Sequence, residues 1–385
     1  MGDVETLDAE TLNRATLARQ MLLTREPIGV IDAVRRLAAV QAQEPASPYL
    51  ALWNRVDDFD AAQLDSAFAD RAVVKASLLR ITLHAVDAED YAAFHRALVE
   101  TPLRASRLFD RRFTSTGLTA DDLDALTPDM LAFAGEARSG AELAAMVDER
   151  LGVEESTAFW ALRTFAPLHH APTGPPWSFG PKPQFIAAPS ASPTVTPLGR
   201  VEAIGHLFVR YLAAFGPAST ADFCQFTMLR QPAVREAVAG IADQLVEYRS
   251  PAGKVLLDVE GGAIPAFDAP AAPRLLGMWD STLLAYADRS RVIPEEYRAT
   301  IIRRNGDTLP TLLVDGHVAG VWRAVDDGIE ATAFRRLSED QWAALHAEAQ
   351  ALIDFLADRQ PDVYRRYRHW WDKGIPGDEV RVLGQ

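Results

Sequence analysis

Between residues 200 and 259 the apolar positions change their period once. Ile204, Leu207, Phe208, Tyr211, Leu212 and Phe215 recur every three or four residues, which lays one apolar stripe along a helix that Gly216-Pro217 ends. Ser219, with Asp222 three positions later, caps a second short helix carrying Phe223 and Phe226. A third helix brings Val234, Val238, Ile241 and Leu245 to one face. The pattern then alternates, and LVEYR, the turn SPAG and KVLLDV predict a hairpin. Three helices followed by a two-stranded hairpin describe a winged helix.

The same order repeats twice, less cleanly. In residues 118–188, Ser139 and Glu142 form a capping box, a helix carries Leu143, Met146 and Val147, and Gly152 stops it. A helix with Phe159, Leu162 and Phe165 follows, and HHAPTGPPWSFGPKPQF predicts a long hairpin tip. At the N-terminus a helix with Ala15, Ala18 and Leu22 precedes one with Ile31, Val34 and Leu37, then a polar helix near 60–70 and a strand, LLRITLHAV. The linkers APSASPTVTP (188–197) and AIPAFDAPAAP (263–273) mark compositional breaks. Beyond them, alternation with the turn pairs Asn305-Gly306 and Asp315-Gly316 predicts a β-meander, closed by an amphipathic helix holding Trp342, Leu345, Leu352, Ile353 and Leu356. The expected fold is mainly α with β wings (α+β). It comprises winged-helix units at 1–115, 116–195 and 196–265 and a small C-terminal α+β region at 266–385.

Length and composition suit a globular protein: 385 residues, 48% hydrophobic, with one cysteine, Cys224. An acidic N-terminus and the lack of a long apolar run predict a cytoplasmic chain that does not enter a membrane. The net charge of −14 changes the picture, because duplex nucleic acid repels a protein that is acidic all over. A DNA-binding function needs local basic patches. Two stand out: Arg104, Arg107, Arg111 and Arg112, and the tail segment 359–373 with Arg359, Arg365, Arg366, Arg368 and Lys373. Each has an alternative reading as ordinary helix-surface arginine.

The usual catalytic signatures are missing: no GxSxG, GxxxxGK[ST], GxGxxG after a strand, HExxH or CxxC. His169-His170 lacks a nearby carboxylate or cysteine and reads as solvated loop, so neither a metal nor a cofactor is expected. What remains is Gln41-Ala42-Gln43 in AAVQAQEPASPYLALW. Residues two apart share one side of an extended segment, and Pro45 pushes Glu44 toward extended geometry, so two carboxamides can face one point and grip a water without ionising. That suffices only where the leaving group is already activated, as in an N7-alkylated purine with its ring cation. Alternatively, two glutamines simply cap a helix end.

Those glutamines stand after VIDAVRRLAAV and before EPASPYLALW. With LLRITLHAVDAEDY, YLAAFGPASTADF, YADRSRVI and NGDTLPTLLVDGHVAGVWR, the chain resembles the AlkZ-like family of bacterial DNA glycosylases over nearly its whole length. The resemblance implies a C-shaped arrangement of three winged-helix units around a DNA channel. It also implies a monofunctional enzyme that excises N7-alkylated purines from double-stranded DNA, in some members unhooking interstrand crosslinks, with Gln41 and Gln43 positioning the hydrolytic water. A monomer acting in base-excision repair or self-resistance is the corresponding expectation. Arg80, Thr82 and His84 alternate along LLRITLH and that face could approach the same site, although a buried, hydrogen-bonded His84 is an equal reading. Glu44 adjoins the glutamines and either polarises the water or faces solvent. The 168–186 hairpin, with His169, His170, Trp177 and Lys182, sits where family members probe DNA. The alternatives are a non-catalytic winged-helix regulator or damage sensor, and a protein-interaction scaffold.

Overall fold

The computed structural model describes residues 4–153, 157–189, 198–326 and 328–384, apart from the side chains of residues 103 and 104. Arg104 as a DNA contact, and all but the first two residues of the 188–197 linker, therefore lie outside the described residues. The chain is 44% helix and 18% strand, and every pairing between its strands is antiparallel.

Local signals produced the elements they encode. Helices run over Arg200–Phe215, Thr220–Thr227 and Gln231–Ala239, and the strands Leu245–Arg249 and Val255–Val259 pair as a hairpin. Ser219 accepts the Asp222 N–H and the Asp222 carboxylate accepts that of Ser219, which satisfies two orphan donors of the helix start. Ser139 and Glu142 do the same for Gly140–Leu151, and Gly152 ends that helix in the left-handed conformation at φ 65°.

Sheet assembly departs from three separate wings. Six short strands from the first two segments form one sheet, in the order Val40–Gln41, Leu83–Asp87, Val73–Ser77, Leu168–Ala171, Gln184–Ala187, Arg138–Ser139. Lys75 stands in register with both Ala85 and His170, and that row joins the two segments. LLRITLHAV is not one strand: Leu79–Ile81 is a tight turn with Arg80 and Ile81 at φ 54° and 52°, and pairing starts at Leu83.

The meander Thr311–Val314, His317–Val325 and Gly328–Ala333 turns at Asp315-Gly316, both at positive φ, and is flanked by Arg274–Leu276 and Glu379–Leu383. Helix Glu339–Ala357 packs on it through Trp342, Leu345, Leu352 and Leu356. This region shares one apolar core with Tyr49, Leu50 and Trp53 near the N-terminus. Two buried ion pairs fix long-range registry, Arg19 with Asp258 at 2.6 Å and Arg55 with Asp280 at 2.8 Å. A charge sealed in this way is tolerated only with its partner, so each pair penalises misassembled alternatives. Among the described residues no helix is long and apolar enough to cross a membrane.

Candidate active site

Gln41 ends the first strand, directly across from His84. Register places Gln41, His84 and Ala76 on one face of the sheet and Val40, Ala85, Lys75, His170 and Phe185 on the other. Gln41 is buried at 4% exposure, and its side-chain oxygen accepts the backbone N–H of Gln43 at 2.5 Å. That bond fixes the amide orientation, because only the oxygen can accept, and it leaves the Gln41 Nε2 donors without a hydrogen-bond partner among the described residues. Past Gln41 the chain leaves the strand, and Gln43 is exposed on an open cleft of about 730 Å3 on the Lys75 side. The ladder ends one backbone bond further on, where the Ala42 N–H donates to the Leu83 carbonyl at 2.8 Å, and of the two glutamines Gln43 lines the cleft.

Glu44 is neither free nor solvent-facing. Arg366 reaches its Oε1 at 2.5 Å and the Tyr367 hydroxyl donates to the same oxygen at 2.9 Å, with the carboxylate 15% exposed. His84 is fully buried beside Gln41. Its Nδ1 lies 3.1 Å from the Thr82 carbonyl, which can only accept, so Nδ1 carries the proton and Nε2 is left as an unpartnered acceptor. Burial, helped by the nearby Arg80 charge, pushes His84 down to about 3, so it stays neutral. Arg80 and Thr82 do not reach the cleft. Arg80 donates to the Phe226 carbonyl at 2.8 Å and stacks on the Phe226 ring, while the Thr82 hydroxyl closes its own turn on Leu79.

The cleft's ionisable lining is basic although the chain is acidic. Lys75, Arg107, Arg163 and Arg366 border it, against Glu44. Arg107 and Arg112 both lie over the Trp160 ring, at 4.3 and 4.0 Å, Arg112 is also paired with Asp110 at 2.8 Å, and Arg111 is exposed. The tail patch is largely spent on structure: Arg359 pairs with Asp65 at 2.7 Å and Arg368 donates to the Ala324 carbonyl, leaving Arg366 to the cleft. A second groove, of about 880 Å3, is bordered by Asp60, Asp65, Asp354 and Asp358 and would repel phosphates.

The hairpin divides its expected contacts. Adjacent strand residues point to opposite faces, so His170 lines the cleft while His169 is buried edge-on against Tyr91 at 4.3 Å. The pair thus cannot grip one ion. Trp177 is no surface probe: it is 2% exposed, packs on Tyr49 at 4.9 Å and donates to the Gln360 carboxamide at 2.5 Å. Lys182 alone of the four is exposed, on the tip. Among the described residues no group of three or more His, Cys, Asp or Glu could hold a metal ion. Sequence patterning missed Lys75, Trp160, Arg163 and Phe179; the one available signal was a lone lysine inside the apolar strand VVKAS.

The family described as DNA glycosylase AlkZ-like matches residues 34–355. The interstrand DNA cross-link repair glycosylase of Streptomyces sahachiroi is 26% identical over 347 residues, 83% of this chain and 88% of its own length. In fold, the chain is similar to the solved structure of Streptomyces sahachiroi DNA glycosylase AlkZ, with a TM-score of 0.75 at 23% identity over 90% of this chain and 96% of that one. With that family matched over residues 34–355, across both glutamines and the six-stranded sheet, the chain belongs to the DNA glycosylase AlkZ-like family.

Proposed function

We propose that this chain hydrolyses the N-glycosidic bond of N7-alkylated purines in double-stranded DNA, including purines tied into interstrand crosslinks. It acts as a monomer without metal or organic cofactor, the duplex lying in the channel of a C-shaped set of three winged-helix units. The observation that carries the reading is the exposed Gln43 carboxamide on a cleft whose only lining carboxylate among the described residues, Glu44, is occupied by Arg366 and Tyr367. Such a site has no free carboxylate to activate a nucleophile against a strong bond. It can hold a water against a bond that is already weak, and a purine that carries its own cation departs as a neutral base.

Gln43 orients the water in this reading, and Gln41 is a positioning residue that holds the Gln43 backbone. The basic lining supports a polyanionic substrate, and the cleft volume accommodates a nucleoside. The test is base release from duplexes carrying N7-methylguanine, a bulkier N7 adduct or an N7-linked crosslink. Release that is lost in Gln43→Ala is expected. Tight duplex binding with no release of any adduct would overturn catalysis in favour of a DNA-binding regulator or damage sensor.

A further inference from the structure

The most exposed large apolar side chain among the described residues is Phe109, at 81%. It ends the helix Pro102–Leu108, its backbone N–H donating to the Ala105 carbonyl at 3.0 Å, and the short helix Arg111–Thr114 starts two residues later. Leu108 and Phe113, on either side of it in sequence, pack into the core beneath, and this leaves Phe109 directed outward. Its surroundings are basic. Arg107 and Arg112 lie over the Trp160 ring, Arg111 is exposed, and the carboxylate between them, Asp110, is held by Arg112 and caps the second helix. Arg107 and Trp160 border the same cleft as Gln43, which puts this tip on its rim.

A single exposed apolar side chain is ordinary on a protein surface. An aromatic ring set among arginines at the edge of a basic cleft, in a chain of net charge −14, is not. The charges choose the partner. An apolar protein face would give these guanidinium groups no acceptors, and their desolvation would oppose docking. A duplex offers both halves of what the tip displays: phosphate oxygens for the arginines and an apolar stack of bases for the ring.

We propose that Phe109 is a wedge that enters the base stack beside the damaged nucleotide and holds that step open, with Arg107 and Arg111 on the flanking phosphates. A step opened in this way kinks the duplex, and the ring that fills the gap keeps the bases from restacking before the glycosidic bond breaks. The contact is separate from the glutamines and acts on the shape of the substrate, so no bond is made or broken at Phe109. The arginines supply affinity for any duplex, whereas the ring favours steps that part easily. The inference rests on the proposed glycosylase for its choice of partner, a damaged duplex, and for nothing else.

The experiment uses the full chain and a duplex in which 2-aminopurine, fluorescent when unstacked, adjoins N7-methylguanine in its 2′-fluoroarabino form, which resists hydrolysis. The wild type is expected to raise the fluorescence. Phe109→Ala, checked as folded by thermal melting, is expected to bind by anisotropy without the rise, and Phe109→Leu to restore most of it. On the cleavable lesion, single-turnover release is expected to fall by about 10-fold in Phe109→Ala and to recover where a neighbouring mismatch has already opened the step. Phe267→Ala, at another exposed phenylalanine, is expected to match the wild type throughout. No rise with the wild type, or a rise that Phe109→Ala keeps, overturns the wedge. A changed oligomeric state in Phe109→Ala with its duplex signals intact makes the ring a contact between copies and overturns it too. Release by the wild type without a rise sinks the wedge alone. A rise that depends on Phe109, with no release of any adduct, sinks the glycosylase reading and leaves the wedge intact.

Discussion

Gln41 holds Gln43 by its backbone, the buried side-chain oxygen taking the N–H of the exposed residue at 2.5 Å. The two glutamines are thus unequal, one fixing the chain and the other meeting the cleft, and their substitutions separate accordingly. Gln41→Ala removes a hydrogen bond inside the protein and lowers stability by about 1 kcal/mol. Gln43→Ala changes stability by no more than about 0.5 kcal/mol. Base release falls by about 100-fold in Gln43→Ala, as for loss of a group that orients a proton transfer. Denaturation curves and single-turnover excision of N7-methylguanine measure both effects.

Lys75→Met stabilises the fold at neutral pH. Lysine in the folded chain, at about 8 instead of 10.5, resists the proton that the unfolded chain binds, so folding carries the full penalty below about 8 and none above about 10.5. Removing the amine recovers up to ~3 kcal/mol at pH 7, less what the packing against Phe179 contributed. The gain shrinks as the pH rises toward 10, which chemical denaturation at the two pH values reads directly.

Acid unfolds the protein through its buried histidines. Burial pushes His84 down to about 3, and burial with Arg71 and His95 pushes His169 down to about 4, from the usual 6.5. The unfolded chain takes up these protons first, so stability is intact above about 6.5 and declines as the pH falls toward those values. His169→Phe, which keeps a ring against Tyr91, flattens the decline by about one proton in a plot of unfolding free energy against pH.

Under the proposed function, Arg107 and Arg111 are expected to carry affinity for duplex without choosing its sequence. Each alanine variant weakens binding and lowers the slope of log K against log salt by roughly 0.9 for each phosphate that it no longer neutralises. Arg359→Ala serves as contrast: its partner is Asp65, so it leaves the salt slope unchanged and lowers the melting temperature. Fluorescence anisotropy at several salt concentrations distinguishes the two classes.

Features encoded within a few residues were readable in advance. The Ser139/Glu142 and Ser219/Asp222 boxes, the Gly152 stop, the Asp315-Gly316 turn and the Leu245–Val259 hairpin need only neighbours in sequence. Gln41 and Gln43 stood out in the sequence through the Gln-Ala-Gln tripeptide and the family resemblance, whereas the pairing of Glu44 with Arg366 and Tyr367 could not be read there. Partners far apart were not readable: the Lys75 row spans two segments, and Trp177 sits in a Pro/Gly-rich stretch that looks like loop until Tyr49 and Gln360 enclose it. The same blindness concealed Lys75, whose meaning comes from Phe179 and Glu44 and not from VVKAS.

The sheet that runs from Val40 through Lys75 and His170 to Ser139 has no joint between the first and second segments at the cleft floor. A mould of this kind does not close over its guest. Under the proposed function, the work of recognition would then fall on the nucleic acid, with damaged steps that unstack and bend at low cost expected to enter and stiff intact duplex expected to be turned away by its own elasticity.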